Sequence, residues 1–262
     1  MPIKSGKSVV SKLSRSKIDL FIECQRCFYL DQALKVKRPS IPAFTLNSAV
    51  DHLLKKEFDI HREGKEPHPL MKQYGIKAIP FDHPDMEKWR YNFTGIQYKH
   101  PETGFLIFGA IDDVWVDDNG LLYIVDYKAT SKKEKPNLEG RWQQAYKRQM
   151  EIYQWLFRRN NFKVSDTGYF VYVNGRKDAK SFDGKLEFDV DIITYKGDDG
   201  WIEKTILEIK ECLERKDLPE AGVDCEHCAY RQNSALAIKE LYDNRQSIKE
   251  KGKDKKDTQT LF

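Results

Sequence analysis

Nowhere in the 262 residues do apolar side chains run on for the roughly 20 positions that a membrane-crossing helix needs, so no membrane partner is expected. Met1 to Ser16 is basic but lacks the apolar centre of a secretory signal, and the expected location is the cytoplasm. Cysteine is scarce. Only five are present, and four of them fall in two Cys-x-x-Cys pairs, which in a reducing compartment point to metal before disulfide. A strong excess of one charge is also missing, since 45 Lys and Arg stand against 41 Asp and Glu for a net charge of +4. Such a mildly basic chain is compatible with a nucleic-acid partner without demanding one. Internal repeats and dividing linkers are absent, so one α/β domain with N- and C-terminal helical additions is the simplest organisation. We expect a loose basic terminus over 1–15, the domain over 16–246 and a flexible charged tail over 247–262.

What is present has clear periodicity. Ile18, Leu20, Phe21, Phe28, Leu30 and Leu34 recur at helical spacing and predict a helix over 16–34. A second helix is expected over 46–62, with Val50, Leu53, Leu54 and Phe58 as its buried stripe and Gly64 at its end. The stretch 67–101 is broken by prolines and aromatics and reads as mixed. A long helix is expected over 138–159 and a strand buried on both faces over 167–173. Asn174-Gly175 and Asp183-Gly184 read as turns around a further strand pair that ends near Tyr195. A helix over 198–216, capped by Asp198 or Asp199, and another over 231–245 complete the pattern.

The chemistry gathers between Phe105 and Thr130. Two apolar runs, one containing Gly109-Ala110-Ile111-Asp112-Asp113-Val114-Trp115 and the other Tyr123-Ile124-Val125-Asp126-Tyr127-Lys128, flank Asp118-Asn119-Gly120, a strong hairpin-turn signal. Acids within buried strands need a metal ion or a hydrogen-bonded ion pair to offset their desolvation. Asp126 and Lys128 are two apart and share a strand face, while the turn brings Asp112 or Asp113 alongside. Register decides between those two acids, and spacing alone does not. The plain alternative is a surface hairpin with a cross-strand ion pair. The neighbours Phe105, Leu106, Ile107, Phe108, Ile111, Ile124 and Val125 argue for burial instead.

Taken together, Gly109-x-x-Asp112, then Val125-Asp126-Tyr127-Lys128, then Gln149-x-x-x-Tyr153 on a helix resemble the PD-(D/E)XK nuclease superfamily. The nearest likeness is to its RecB-like branch, which includes CRISPR-associated spacer-acquisition nucleases, and it spans roughly 14–230. The resemblance implies a restriction-endonuclease-like core, a central mixed sheet flanked by helices. It also implies a metal-dependent DNA nuclease in which Asp112 and Asp126, with the backbone carbonyl of Tyr127, hold Mg²⁺ or Mn²⁺. Lys128 then matches the lysine that positions or polarises the attacking water, and Gln149 and Tyr153 match the helix that contacts the site. Tyr146, Gln149 and Tyr153 share one helix face at i, i+3 and i+7. RecB-like enzymes usually carry Gly-x-x-x-His in an early helix, with the histidine as a metal ligand. Here Asn47 to His52 puts Asp51 in that place, and aspartate is a good hard ligand. Lys132, Lys133, Lys135, Arg141, Lys147 and Arg148 follow the site and are candidates to track a phosphate backbone; a solvated helix face is the plain alternative. A catalytically inactive nucleic-acid-binding or scaffold module with the same fold is the alternative for the whole chain.

Cys24, Cys27, Cys225 and Cys228 have the spacing of a four-thiolate site joining the two ends of the domain. Several RecB-like nucleases hold a [4Fe–4S] cluster with one early cysteine and three late ones. This chain has no cysteine after Cys228, so zinc, an iron–sulfur cluster and four reduced thiols are all open. Cys212 reads as a core thiol. The charged C-terminal stretch ends in Gln259-Thr260-Leu261-Phe262, which is similar to the short peptides that dock replication and repair proteins onto a sliding clamp.

Overall fold

The run Leu122–Thr130 forms the middle strand of a mixed five-stranded sheet. A computed structural model describes residues 11–40, 42 and 44–257, with side chains described as far as Arg245. Its elements in chain order are β1 (Lys12–Ser14), α1 (Arg15–Glu23), α2 (Gln25–Gln32), α3 (Thr45–Gly64), α4 (Pro69–Gln73), β2 (Ile79–Pro80), α5 (Met86–Arg90), β3 (Ile96–Lys99), β4 (Leu106–Gly109), β5 (Asp113–Val116), β6 (Leu122–Thr130), α6 (Arg141–Arg159), β7 (Thr167–Gly175), β8 (Phe188–Lys196), α7 (Ile202–Glu214) and α8 (Glu226–Asp257).

The larger sheet runs β2-β5-β6-β7-β8, and a smaller one runs β1-β4-β3. Strands β6 and β7 are parallel, so they need a crossover, and α6 supplies it. The other pairs in the larger sheet are antiparallel. Helices cover both faces, giving the mixed α/β architecture expected from the sequence. On one face Ile124, Phe170 and Tyr172 join a core with Met150, Tyr153 and Leu156 of α6. On the other, Val125, Tyr127, Val171 and Val173 pack with Leu54 and Phe58 of α3. Both central strands are therefore buried on two sides, as the sequence predicts for β7.

Several local expectations are corrected. The helix predicted over 16–34 is two helices, because Cys24 adopts an extended backbone (φ −164°, ψ 104°) and its sulfur accepts the Cys27 N–H at 3.4 Å. Leu53 is exposed, while Arg62 takes a buried place on α3. Asn174-Gly175 is not a turn: both residues extend β7, paired with Asp189 and Phe188, and the turn comes at Asp183-Gly184. Helix α7 starts at Ile202 with no side-chain cap. The candidate caps are engaged elsewhere, Asp199 by Arg158 at 2.6 Å and Asp198 by the Gly200 N–H at 2.9 Å. Helix α8 begins at Glu226 and continues to Asp257, longer at both ends than the helix expected over 231–245. Cys212 lies in the core as expected.

The predicted hairpin is also split. Strand β4 belongs to the smaller sheet and β5 to the larger, and the chain changes sheets across Ala110, Ile111 and Asp112. At Gly109, the last residue before that switch, α6 comes close to the backbone. A Cβ there would meet Tyr153 Cε1 at 2.5 Å and Arg15 Cβ at 3.3 Å. Gly109→Ala is therefore expected to overpack this junction and lower unfolding free energy by about 1–3 kcal/mol, as read by the urea midpoint.

Candidate active site

Antiparallel pairing of β5 with β6 runs from Val116↔Leu122 to Asp113↔Val125 and goes no further. Beyond that last pair the Tyr127 N–H has no β5 partner, and the Asp112 carboxylate accepts it at 2.9 Å. Asp112 thus lies at the opening between the sheets, while Asp113 alternates to the α3 face. The structure separates the two acids that spacing could not. Asp113 is fully buried, with Arg62 Nη2 at 2.5 Å, Arg90 Nη2 at 3.3 Å and the Tyr127 hydroxyl donating at 2.7 Å. Arg90 also donates from Nε to the Asp112 carbonyl at 3.0 Å, so this buried cluster fixes the backbone of the acid beside it.

Asp112 lines a cavity of about 470 Å³ together with Asp51, Tyr127, Lys128, Tyr146 and Gln149. Asp126 lies directly behind the wall, fully buried. Gln149 Nε2 donates to its Oδ1 at 2.7 Å and sits 3.3 Å from the Tyr153 hydroxyl. Lys128 Nζ presses on Asp126 Oδ2, lies 3.4 Å from Gln149 Oε1 and stands 4.5 Å from the centre of the Tyr146 ring. Burial pushes the Asp126 carboxyl up to about 6, with the Asp112 charge adding and Lys128 opposing. For Lys128 burial works against the charge, but Asp126 and Asp112 outweigh it and the ammonium is stabilised.

Asp51 projects from α3 into the same cavity, whereas His52 is exposed and outside it. Lys55, one helical turn after Asp51, bridges Asp51 Oδ2 at 2.8 Å and Asp112 Oδ1 at 3.2 Å. Burial and the neighbouring Asp112 charge raise the Asp51 carboxyl above its usual range. These donors suit a hard divalent cation. They are carboxylate oxygens, and each already holds a positive charge, Asp51 and Asp112 that of Lys55 and Asp126 that of Lys128.

The basic residues predicted to follow the site stand elsewhere. Lys132, Lys133, Arg141, Lys147 and Arg148 do not line the cavity. Arg148 is committed to Asp19 of α1 at 2.5 Å, Arg141 reaches the Asp224 carbonyl at 3.3 Å, Lys147 lies 5.7 Å from the Tyr195 ring and Lys135 pairs with Asp191 at 2.9 Å. The cavity instead draws its positive charge from Arg15, Lys55, Arg90 and Lys128. Lys55 was within reach of sequence reasoning, since i+4 from Asp51 puts it on the same helix face. Arg15 and Arg90 arrive from distant segments and carry no local signal. Arg15 has no salt bridge among the described residues, leaving its guanidinium available at the cavity.

Away from the cavity, Cys24, Cys27, Cys225 and Cys228 converge, each with its sulfur within 4.8 Å of the other three. Among the described residues they form a group of converging metal-ligand types, and all are free thiols. Gln259, Leu261 and Phe262, the expected docking peptide, lie outside the described residues. No described helix is long and apolar enough to cross a membrane.

The two neighbouring acids should behave differently on removal. Asp113→Ala takes away the buried carboxylate that Arg62, Arg90 and the Tyr127 hydroxyl share, leaving the two guanidiniums only the more exposed Asp59, and should cost about 3 kcal/mol of unfolding free energy. Asp112→Ala, at a side chain 22% exposed, should cost less than about 1.5 kcal/mol. Urea denaturation of the two variants checks the order.

Comparison with known proteins bears on this arrangement. A search of curated proteins finds no match. Among solved structures the chain is similar to one described as "Crystal structure of SSO0001", at 15% identity over 81% of each chain with a TM-score of 0.38. That likeness is too distant to carry an argument. The sequence matches the PD-(D/E)XK nuclease superfamily over residues 50–233, a span that includes Asp51, the split hairpin, α6 and the second cysteine pair. With mixed sheets flanked by helices and its acids and lysine at one cavity, the chain belongs to the PD-(D/E)XK nuclease superfamily.

Proposed function

We propose that the protein is a metal-dependent deoxyribonuclease of the RecB-like type that hydrolyses phosphodiester bonds in DNA repair, recombination or processing in the cytoplasm. The observation that carries this reading is the convergence of Asp112, Lys128 and Gln149 on one cavity, with Asp126 held directly behind its wall by Gln149 and Lys128. Asp112, Asp126 and Asp51, with the carbonyl of Tyr127, are the residues to hold Mg²⁺ or Mn²⁺. A bound divalent cation supplies positive charge to the phosphate and acidifies its water.

The chain's own groups have distinct parts. Gln149 orients the Asp126 carboxylate from α6, and Tyr153 supports Gln149. Lys128, held as an ammonium by Asp126 and Asp112, orients the attacking water and the phosphate. Lys55 keeps the Asp51 and Asp112 charges together, and those oxygens would be the ones offered to a divalent cation. Arg15 and Arg90 face the cavity where DNA phosphates would approach, and Tyr146 offers a ring beside it. Lys132, Lys133, Arg141 and Lys147 extend the basic path outside the cavity, while Arg148 serves it only through its packing on Asp19.

A second reading has one observation in its favour. Lys55 and Lys128 already sit on the carboxylates, as they would in a module that binds nucleic acid without cutting it. One assay separates the two. Wild type incubated with single-stranded, duplex and flapped DNA and Mn²⁺ should cleave, and Asp126→Ala and Lys128→Ala should each lose at least about 10²-fold in rate. Binding without cleavage favours the module, and cleavage unchanged in both variants overturns the mechanism.

Independently, and from its sequence alone, we propose that the C-terminal peptide docks on a sliding clamp through Gln259, Leu261 and Phe262. Deleting Leu261 and Phe262 should abolish clamp binding in a pull-down and leave DNA cleavage intact. A full-length protein that does not bind the clamp overturns it.

A further inference from the structure

The four cysteines come from opposite ends of the domain. Cys24 stands at the break between α1 and α2 and Cys27 lies in the first turn of α2, while Cys225 and Cys228 stand at the start of α8. Their sulfurs are in direct contact: Cys24 to Cys228 at 3.7 Å, Cys27 to Cys225 at 3.6 Å and Cys27 to Cys228 at 3.5 Å. A disulfide would bring two of them to about 2.05 Å, so no such bond is formed.

The spacing discriminates between metals. Four thiolates around one tetrahedral ion, each about 2.3 Å from it, stand about 3.8 Å from one another. A [4Fe–4S] cube instead gives each thiolate its own iron and places irons and sulfides between them, which drives the thiolates out of contact. The three contacts, with every other pair of sulfurs within 4.8 Å, match the single ion. We propose that Cys24, Cys27, Cys225 and Cys228 bind one tetrahedral Zn²⁺ in place of an iron–sulfur cluster, and that this ion staples the α1–α2 junction to the start of α8. Zinc is favoured over a lone ferrous ion because divalent zinc binds the same ligands more tightly.

The surroundings are those of a closed, structural site. Four thiolates on a divalent ion leave two excess negative charges. The Gly222 N–H donates to Cys24 Sγ at 3.2 Å, the Cys27 N–H to the same sulfur at 3.4 Å, and Arg38 Nη2 to Cys225 Sγ at 3.5 Å. These donors offset that charge and orient the ligands. Gly222 allows the approach: a Cβ there would collide with the Glu23 carbonyl oxygen and lie 3.2 Å from Cys24 Cβ. Cys24 and Cys27 are each 1% exposed and Cys228 7%, and four protein ligands leave no position for substrate. The staple also bears on the cavity, because α1 starts at Arg15 and Asp19 of α1 holds Arg148 of α6.

The assignment stands apart from the nuclease reading, and its test reads metal, not cleavage. Full-length protein purified anaerobically should contain one zinc per chain, no acid-labile sulfide and no visible absorption. Replacement by Co²⁺ should give the visible bands of a tetrahedral thiolate site. Removing the metal with a chelator should lower Tm by about 5–10 °C, with recovery on adding Zn²⁺. Cys225→Ser should lose the zinc, whereas Asp126→Ala should keep it. Iron with labile sulfide, a lone iron, protein free of metal, or a Cys225→Ser variant that retains full zinc and Tm overturns the proposal. The Asp126→Ala result distinguishes failure here from failure of the nuclease reading.

Discussion

Burial of strand β6 on both faces is the constraint from which the site follows. Alternate side chains on such a strand must enter different cores, so Val125 and Tyr127 go to α3 while Ile124, Asp126 and Lys128 go to α6. An acid sent into a core must find partners there: α6 provides Gln149, and β6 itself provides Lys128 two residues on. The same alternation on β5 sends Asp113 to the α3 face, where Arg62 and Arg90 neutralise it. Two acids adjacent in sequence consequently do different work. Asp113 ties α3 and α5 to the sheet, and Asp112 is left at the cavity.

The opening itself comes from a ladder that stops early. After Asp113↔Val125 the chain leaves one sheet for the other, and the strand edge that remains is satisfied by a carboxylate instead of a backbone partner. A single hydrogen bond from the Tyr127 N–H fixes Asp112 to the strand that carries Asp126 and Lys128. Gly109 makes this junction compact by letting Tyr153 and Arg15 approach its backbone. The site is therefore assembled from α1, α3, β6, α6 and the break between two sheets, with no single element holding it all.

Much of this was legible before the structure. Periodicity located the helices over α3 and α6 and the strands around Asp118-Asn119-Gly120, because strong amphipathic patterns and turn chemistry act locally. The errors share a cause. Cys24 breaks a continuous helical pattern where its sulfur caps α2 at the Cys27 N–H and meets Cys225 and Cys228, brought from the far end of the domain. Asn174-Gly175 extends a strand because β8 is there to pair with it, against the local turn propensity. Arg148 pairs with Asp19 of α1, and Arg15 and Arg90 join the cavity from distant segments that carry no local signal.

The sequence by itself determined which groups could do chemistry: the Gly109-x-x-Asp112 and Asp126-x-Lys128 motifs, Gln149 and Tyr153 on one helix face, and two cysteine pairs with metal-ligand spacing. These follow from local rules of strand and helix repeat. The family resemblance selects Asp112 over Asp113, and tertiary structure gives the physical reason, since which acid reaches the cavity depends on where the β5–β6 pairing ends. Only the tertiary structure decided which cations surround the acids and how closely the four sulfurs meet. Distances between segments as remote as Cys24 and Cys228 are set by packing of the whole domain, and no local pattern encodes them.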